Sequence, residues 1–234
     1  MGRGWVNAVR EAAGAKKGKL FTKIAREIAV AVKMGGDNQD GNARLRMILK
    51  EARENSMPRD TIDRAIKRGM GVGSESDYEE VVYEGYGPFG VAALVEVLTD
   101  NRNRTVQELR ALFVRSAGNL GEAGSVQWMF DKISSVIAVA AGDGVDPEEV
   151  AINIGANEVD DLGEGQQYQF VGNPSDLDVI QKGLADSGWK VLKAEMSYRA
   201  KNPTEINEAQ EGDLKTFLDK LEDLDDVKKV HLSI

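Results

Sequence analysis

The sequence predicts an α+β protein: an N-terminal basic helical bundle, then two mixed α/β domains of ferredoxin-like pattern, one inserted in the other. Three observations carry this. The first 70 residues show only helical periodicity, whereas strands alternate with helices from residue 78 on. Within residues 134–203 the order is β-α-β-β-α-β, a complete split unit. A helix and a strand at the C-terminus are then left over, and their natural partner is the incomplete set that precedes the insertion. A chain of 234 residues has room for two or three compact units. The divisions are placed at 1–77 (bundle plus linker), at 78–133 with 204–234, and at 134–203.

Element by element, residues 19–34 carry Leu20, Ile24, Ile28 and Val32 at helical spacing, widened by Phe21, Ala25 and Ala31, and Gly35-Gly36 ends the helix. Asn42 is the expected N-cap of a second helix over 43–54, with Leu45, Ile48, Leu49 and Ala52 inward. Pro58 opens a third, lined by Ile62, Ala65 and Ile66. Residues 69–77 are rich in Gly and Ser without periodicity and read as a linker. Beyond it come a strand at 81–84, a turn at 85–90, a buried strand at 91–98 and a helix at 105–116. A turn at 118–124 leads to a strand at 125–130. The inserted set is a strand at 135–141, a helix at 147–155, a hairpin of 158–161 with 167–171, a helix at 175–187 and a strand at 190–197. After Asn202-Pro203 the chain ends in a helix at 206–221 and a strand at 227–234. No period of 20–50 residues recurs, so the fold is not a solenoid.

Composition excludes several chemistries. Cysteine is absent, which removes disulfides, thiolate metal sites and thiol catalysis. The single histidine, His231, removes any two-histidine metal site. It alternates with Val230 and Leu232 in the last strand, so a surface position is expected for it. The acid-rich stretch from Asp143 to Glu149 lacks the alternating spacing of a calcium loop, and Asp146 before Pro147 reads as an N-cap. Glu222-Asp223 and Asp225-Asp226 read as solvated turn acids. Gly69-Met70-Gly71-Val72-Gly73 has neither a preceding strand nor a phosphate-binding Lys-Ser/Thr. No catalytic constellation assembles, and no cofactor is implied. The longest apolar run, Val136 with residues 137–141, is far short of the roughly 20 residues that span a bilayer. No charged-then-apolar signal segment opens the chain, so a soluble, cytoplasmic protein is expected, with the oligomeric state open.

The charge is asymmetric. Residues 1–70 hold sixteen Lys and Arg against eight Asp and Glu, a net +8, while the whole chain is −9 and the rest therefore −17. A basic head on an acidic body fits a polyanion partner; a locally basic helical surface is the plainer reading. Candidate nucleic-acid contacts are Lys16, Lys17, Lys19, Lys23, Arg26, Arg44, Arg46 and Arg53, with Lys19, Lys23 and Arg26 at i, i+4, i+7 on one face. Aromatic content there is confined to Trp5 and Phe21, so phosphate contact is favoured over base stacking. A second candidate is the strand-to-helix junction Asp100-Asn101-Arg102-Asn103-Arg104-Thr105. Arg102, Asn103 and Arg104 there either bind an anion at the helix N-terminus, or Asp100 or Asn103 caps the helix while an arginine pairs with a body acid.

Long motifs resemble the YebC/PmpR family of bacterial proteins. In the head these are Lys17-Gly18-Lys19-Leu20-Phe21-Thr22-Lys23, Asn42-Ala43-Arg44-Leu45-Arg46 and Asn55-Ser56-Met57-Pro58-Arg59-Asp60-Thr61-Ile62. In the body they are Tyr83-Glu84-Gly85-Tyr86-Gly87-Pro88, Leu98-Thr99-Asp100-Asn101-Arg102-Asn103-Arg104-Thr105, Gly118-Asn119-Leu120-Gly121 and Leu221-Glu222-Asp223-Leu224-Asp225-Asp226-Val227. The opening departs: Met1-Gly2-Arg3-Gly4-Trp5 keeps the family's tryptophan and loses its His-Ser-Lys, so no contact is carried over to it. The resemblance implies a helical head, two α/β domains with one interrupting the other, and no enzymatic activity. It implies a DNA-binding transcriptional regulator, or alternatively a ribosome-associated translation factor on ribosomal RNA, as in mitochondrial relatives that activate translation. A protein-interaction module whose basic head meets an acidic partner is the third possibility.

Overall fold

The computed structural model describes residues 3–72, 78–140, 142, 144–163 and 166–234, with side chains from Lys17 onward. The chain divides into two compact units, residues 1–126 with 205–232 and residues 127–204 with 233–234.

The first unit opens with α1 (Arg3–Gly35), α2 (Ala43–Glu54) and α3 (Arg59–Gly69). Helix α1 begins far ahead of the apolar stripe that predicts it from Lys19. Ala8, Ala12, Ala13 and Ala15 favour helix without marking a face, so periodicity does not register them. At the start of α2, Asn42 Oδ1 accepts from the Leu45 N–H at 3.0 Å. Its amide also donates to the carbonyls of Ala31 (2.7 Å) and Gly36 (2.8 Å), tying α2 to the end of α1. Ile24, Ile28, Leu45, Leu49, Met57 and Ala65 close the core of the three helices. Gly69, read as linker from its composition, is the last residue of α3 and sits against α1. A Cβ there would lie 2.5 Å from the Ala29 carbonyl oxygen. Residues 73–77 of the expected linker lie outside the described residues.

The same unit carries a sheet in the order β3-β1-β2-β8, from β1 (Glu79–Tyr86), β2 (Ala92–Thr99), β3 (Asn119–Leu120) and β8 (Val227–Leu232). All pairings are antiparallel, and β8 joins β2 as its leftover position in the sequence requires. Helices α4 (Arg102–Arg115) and α7 (Glu208–Glu222) cover the face bearing Val91, Ala93, Val95 and Val97. Phe113 and Phe217 meet edge to face across it at 5.1 Å. The strand expected at 125–130 is instead a short 3-10 turn, Gln127–Met129, and the next strand starts only at Phe130. His231 departs from expectation too: it is buried, and its Nε2 lies 2.6 Å from Glu96 Oε1. The alternation is right, with Val230 and Leu232 toward the core, but the other face is itself covered around Leu94, its cross-strand partner.

The second unit is built from β4 (Phe130–Val139), α5 (Pro147–Ile154), β5 (Glu158–Asp161), β6 (Gln167–Gly172), α6 (Leu177–Asp186) and β7 (Lys190–Ala200). Its antiparallel sheet runs β5-β6-β4-β7, the ferredoxin-like order in which the first and third strands of the unit lie at the centre. Trp189 packs edge to face on Tyr168 and Phe170, beside Ile154, Ile180 and Leu184 from the two helices. Asp146 caps α5 by accepting from the Glu148 N–H at 2.9 Å; Asp143 lies outside the described residues. Among the described residues no helix is long and apolar enough to cross a membrane.

Candidate nucleic-acid interface

Three of the basic residues on α1 turn inward, onto the C-terminal end of α7. Helix C-termini leave carbonyls without partners and carry partial negative charge, so cations gather there. Lys19 Nζ lies 2.7 Å from Asp223 Oδ1, and Lys23 donates to the Glu222 carbonyl. Arg26 donates to the Asp225 carbonyl at 2.6 Å and to Asp226 Oδ1 at 2.8 Å. Burial pushes the Lys23 ammonium below its ordinary value, against the opposing pull of Glu222, Asp225 and Asp223.

Asp226 is the hub of this contact. Read from composition as a solvated turn acid, it is only 3% exposed. Its carboxylate accepts from Arg26, from Arg104 at 2.7 Å, and from the hydroxyls of Thr105 (2.6 Å) and Thr99 (3.2 Å). Burial pushes its pKa up, but the hydrogen bonds from Arg104 and Thr105 and the charges of Arg26 and Arg104 outweigh that and hold it below the usual carboxylate value. Arg26 also stacks over the Tyr78 ring, 5.6 Å from its centroid.

The other anion candidate is likewise paired. Arg102 forms a two-pronged bridge to Glu79, through Nε and, at 2.6 Å, Nη2. Arg104 reaches Asp100 at 3.0 Å as well as Asp226. Asn101, not Asp100 or Asn103, caps α4 by accepting from the Arg104 N–H at 3.1 Å, and Asn103 stands exposed on the first turn. Arg44 pairs with Glu80, which Lys228 also approaches at 3.7 Å. Burial raises the Glu80 carboxyl, yet Arg44 and Lys228 bring it below its ordinary value. Nearby Glu27 goes the other way: burial dominates and raises it.

The remaining head candidates point outward. Lys17 lies over the Phe21 ring at 5.7 Å, Arg46 is exposed, and Arg53 reaches Gln39 at 3.4 Å. Lys16 lies outside the described side chains. Arg46, Lys50 and Arg53 follow one another at i, i+4 and i+7 along α2, so they share a face. Lys50 lies 3.9 Å from Glu54, whereas the side chains of Arg46, Arg59 and Lys67 form no ion pair or hydrogen bond among the described residues. At the end of that row a cleft of about 400 Å³ opens between α2 and α3. The half-buried Ile62 and Ile66 give it a small apolar patch over the buried Leu49 and Met57, and Arg53, Arg59, Asp63 and Gln39 form its polar rim. Sequence reading had no signal for the cleft. For Asp226 no local signal existed either: three cations at i, i+4, i+7 on α1 are equally compatible with a solvated face, as Arg46, Lys50 and Arg53 on α2 show, and the partner lies 200 residues away.

Comparison with known proteins places these features. Residues 4–72 match the family description "TACO1/YebC protein N-terminal domain", and residues 78–234 match "TACO1/YebC second and third domain". The chain belongs to the TACO1/YebC family. Within it, a probable transcriptional regulatory protein of Bdellovibrio bacteriovorus is 46% identical over the whole of both chains. One from Thermoanaerobacter pseudethanolicus is 38% identical, over 98% of this chain and 94% of its own. The crystal structure of a conserved hypothetical protein of Aquifex aeolicus superposes with a TM-score of 0.83 at 37% identity, covering 93% of this chain and 90% of that one. Two of the quoted motifs, residues 17–23 in the head and 221–227 in the body, meet in the contact of α1 with residues 222–226.

Proposed function

We propose that this chain is a non-enzymatic, cytoplasmic, DNA-binding transcriptional regulator, a three-domain protein divided at 1–77, 78–133 with 204–234, and 134–203, whose helical head contacts the phosphate backbone. The observation that carries the reading is the set of outward cations that remain once Lys19, Lys23, Arg26 and Arg44 are paired internally: Lys17, Arg46, Arg53, Arg59 and Lys67, with Lys50 exposed beside Glu54, on one small helical unit. Cations in rows of this kind bind polyanions by releasing condensed counterions, without reading sequence. The names of the relatives, probable transcriptional regulatory proteins, support the choice of DNA as the polyanion. The acidic remainder keeps phosphates off the other surfaces. Crosslinking in cells followed by sequencing of the bound nucleic acid tests it. Promoter DNA is the expected catch; ribosomal RNA would move the activity to translation, and neither would leave the head as a protein-binding module.

A further inference from the structure

We infer that the cleft between α2 and α3 takes an unpaired base of single-stranded DNA, with the phosphates on either side of it held by Arg53 and Arg59. The inference deepens the DNA-binding reading and rests on it. Three features point to this occupant. The cleft has a volume of about 400 Å³, and the half-buried Ile62 and Ile66 offer a small apolar patch, over the buried Leu49 and Met57, against which a planar ring can lie. Its rim carries two arginines with no acidic partner, and it stands at the end of the row Arg46, Lys50 and Arg53. The occupant thus has an apolar body and negative charge repeated along its length, which is the chemistry of a nucleotide strand. A guanidinium plane can also stack on a base where aromatic rings are lacking.

Asp63 narrows the choice. Its exposed carboxylate on the rim accepts from an exocyclic amino group, as carboxylates do from cytosine N4, a donor that the side chains of an acidic peptide lack. Thymine presents an acceptor at the same position and would be disfavoured. A base can fill a concave cleft only when it is out of the helical stack, which costs least in a strand already single. The backbone of an intact duplex, being convex, would touch the rim alone.

The test is a binding titration of the full chain with fluorescein-labelled 15-nucleotide probes: oligo-deoxycytidine, oligo-deoxythymidine, a mixed-sequence duplex, and oligo-cytidine RNA. The expected order places oligo-deoxycytidine first, about tenfold ahead of oligo-deoxythymidine, in line with one good base contact. Asp63→Ala should erase that preference, and Arg53→Ala with Arg59→Ala should weaken the single strand several-fold more than the duplex. Both variants alter exposed side chains, and circular dichroism confirms that they fold. Equal losses on single strand and duplex would show two general phosphate contacts and overturn the cleft, leaving DNA binding intact. Tighter binding of the RNA would overturn the DNA occupant, and displacement of the probe by a polyglutamate peptide at equal charge would reduce the cleft to a plain anion site. Binding of none of the probes, duplex included, would remove the DNA-binding reading itself.

Discussion

At the scale of single residues, Asp226 matters most because its charge is buried where its partners are fixed. Removing one member of a buried ion pair leaves the other uncompensated, at a typical cost of about 3–5 kcal/mol. Arg26, whose side chain is 13% exposed, would be the stranded partner in Asp226→Asn, while Arg104, at 42%, can turn to water. The lower end of that range, about 3 kcal/mol, is therefore expected in chemical denaturation. The pH dependence has a definite sign. The folded carboxyl titrates below its unfolded value, so its contribution is present above roughly pH 4 and is lost as pH falls through the folded value. Asp226→Asn should flatten the acid limb of the stability curve. Glu27 behaves in the opposite way. Its raised pKa means that ionisation is unfavourable in the folded state, so stability declines as pH rises from the unfolded toward the folded value. Glu27→Gln should stabilise the chain at neutral pH and lose that advantage in acid; destabilisation at pH 7 would show that the attraction of Lys228 and Arg44 outweighs burial. Neither behaviour is written in the sequence. Asp226 lies 200 residues from Arg26, and nothing local distinguishes it from its solvated neighbours.

At the scale of elements, legibility follows the range of the forces involved. Helix α2 is legible because its signals are local: Asn42 caps it, and Leu45, Ile48, Leu49 and Ala52 form a stripe that the structure buries. The inserted unit is legible because its order of elements admits one compact sheet, which the pairing of β4 with β6 and β7 realises. The extension of α1 to Arg3 carries no stripe and is invisible to periodicity. The 3-10 turn at Gln127–Met129 runs straight into the strand from Phe130, and Val126, Trp128 and Phe130 alternate as strand residues do, so periodicity does not separate the two. Gly69 misleads for a physical reason. Glycine marks linkers, but it also marks places where two backbones approach, and here α3 meets α1 at that point. Gly69→Ala should accordingly cost about 1–3 kcal/mol, as overpacking does, because the added methyl meets the Ala29 carbonyl rather than a movable side chain. A thermal melt measures it. An unchanged melting temperature would mean that α3 can shift along α1 freely.

At the scale of the whole molecule, the question is how a chain of net charge −9 presents a cationic face. The head's cations divide by partner: Lys19, Lys23 and Arg26 neutralise the acidic end of α7, and Arg46, Lys50 and Arg53 look outward along α2. The two sets can be told apart by salt. Each phosphate neutralised contributes about 0.9 to the slope of log affinity against log salt on duplex DNA. Replacing Arg46, Lys50 and Arg53 with alanine keeps the buried stripe of α2, and alanine is a good helix former, so the fold should survive. The slope should become shallower by about 2.7, and affinity should fall alike on all duplex sequences. Replacing Lys19 and Lys23 instead is expected to remove no phosphate contact, since both are engaged at the end of α7. It should leave the slope unchanged while lowering the melting temperature, because the carbonyls at the end of α7 lose their cations. Fluorescence titrations at several salt concentrations, paired with melts of the same variants, measure both. A shallower slope from the Lys19/Lys23 variant would mean that DNA displaces the end of α7 from α1, and the assignment of the two faces would then be reversed.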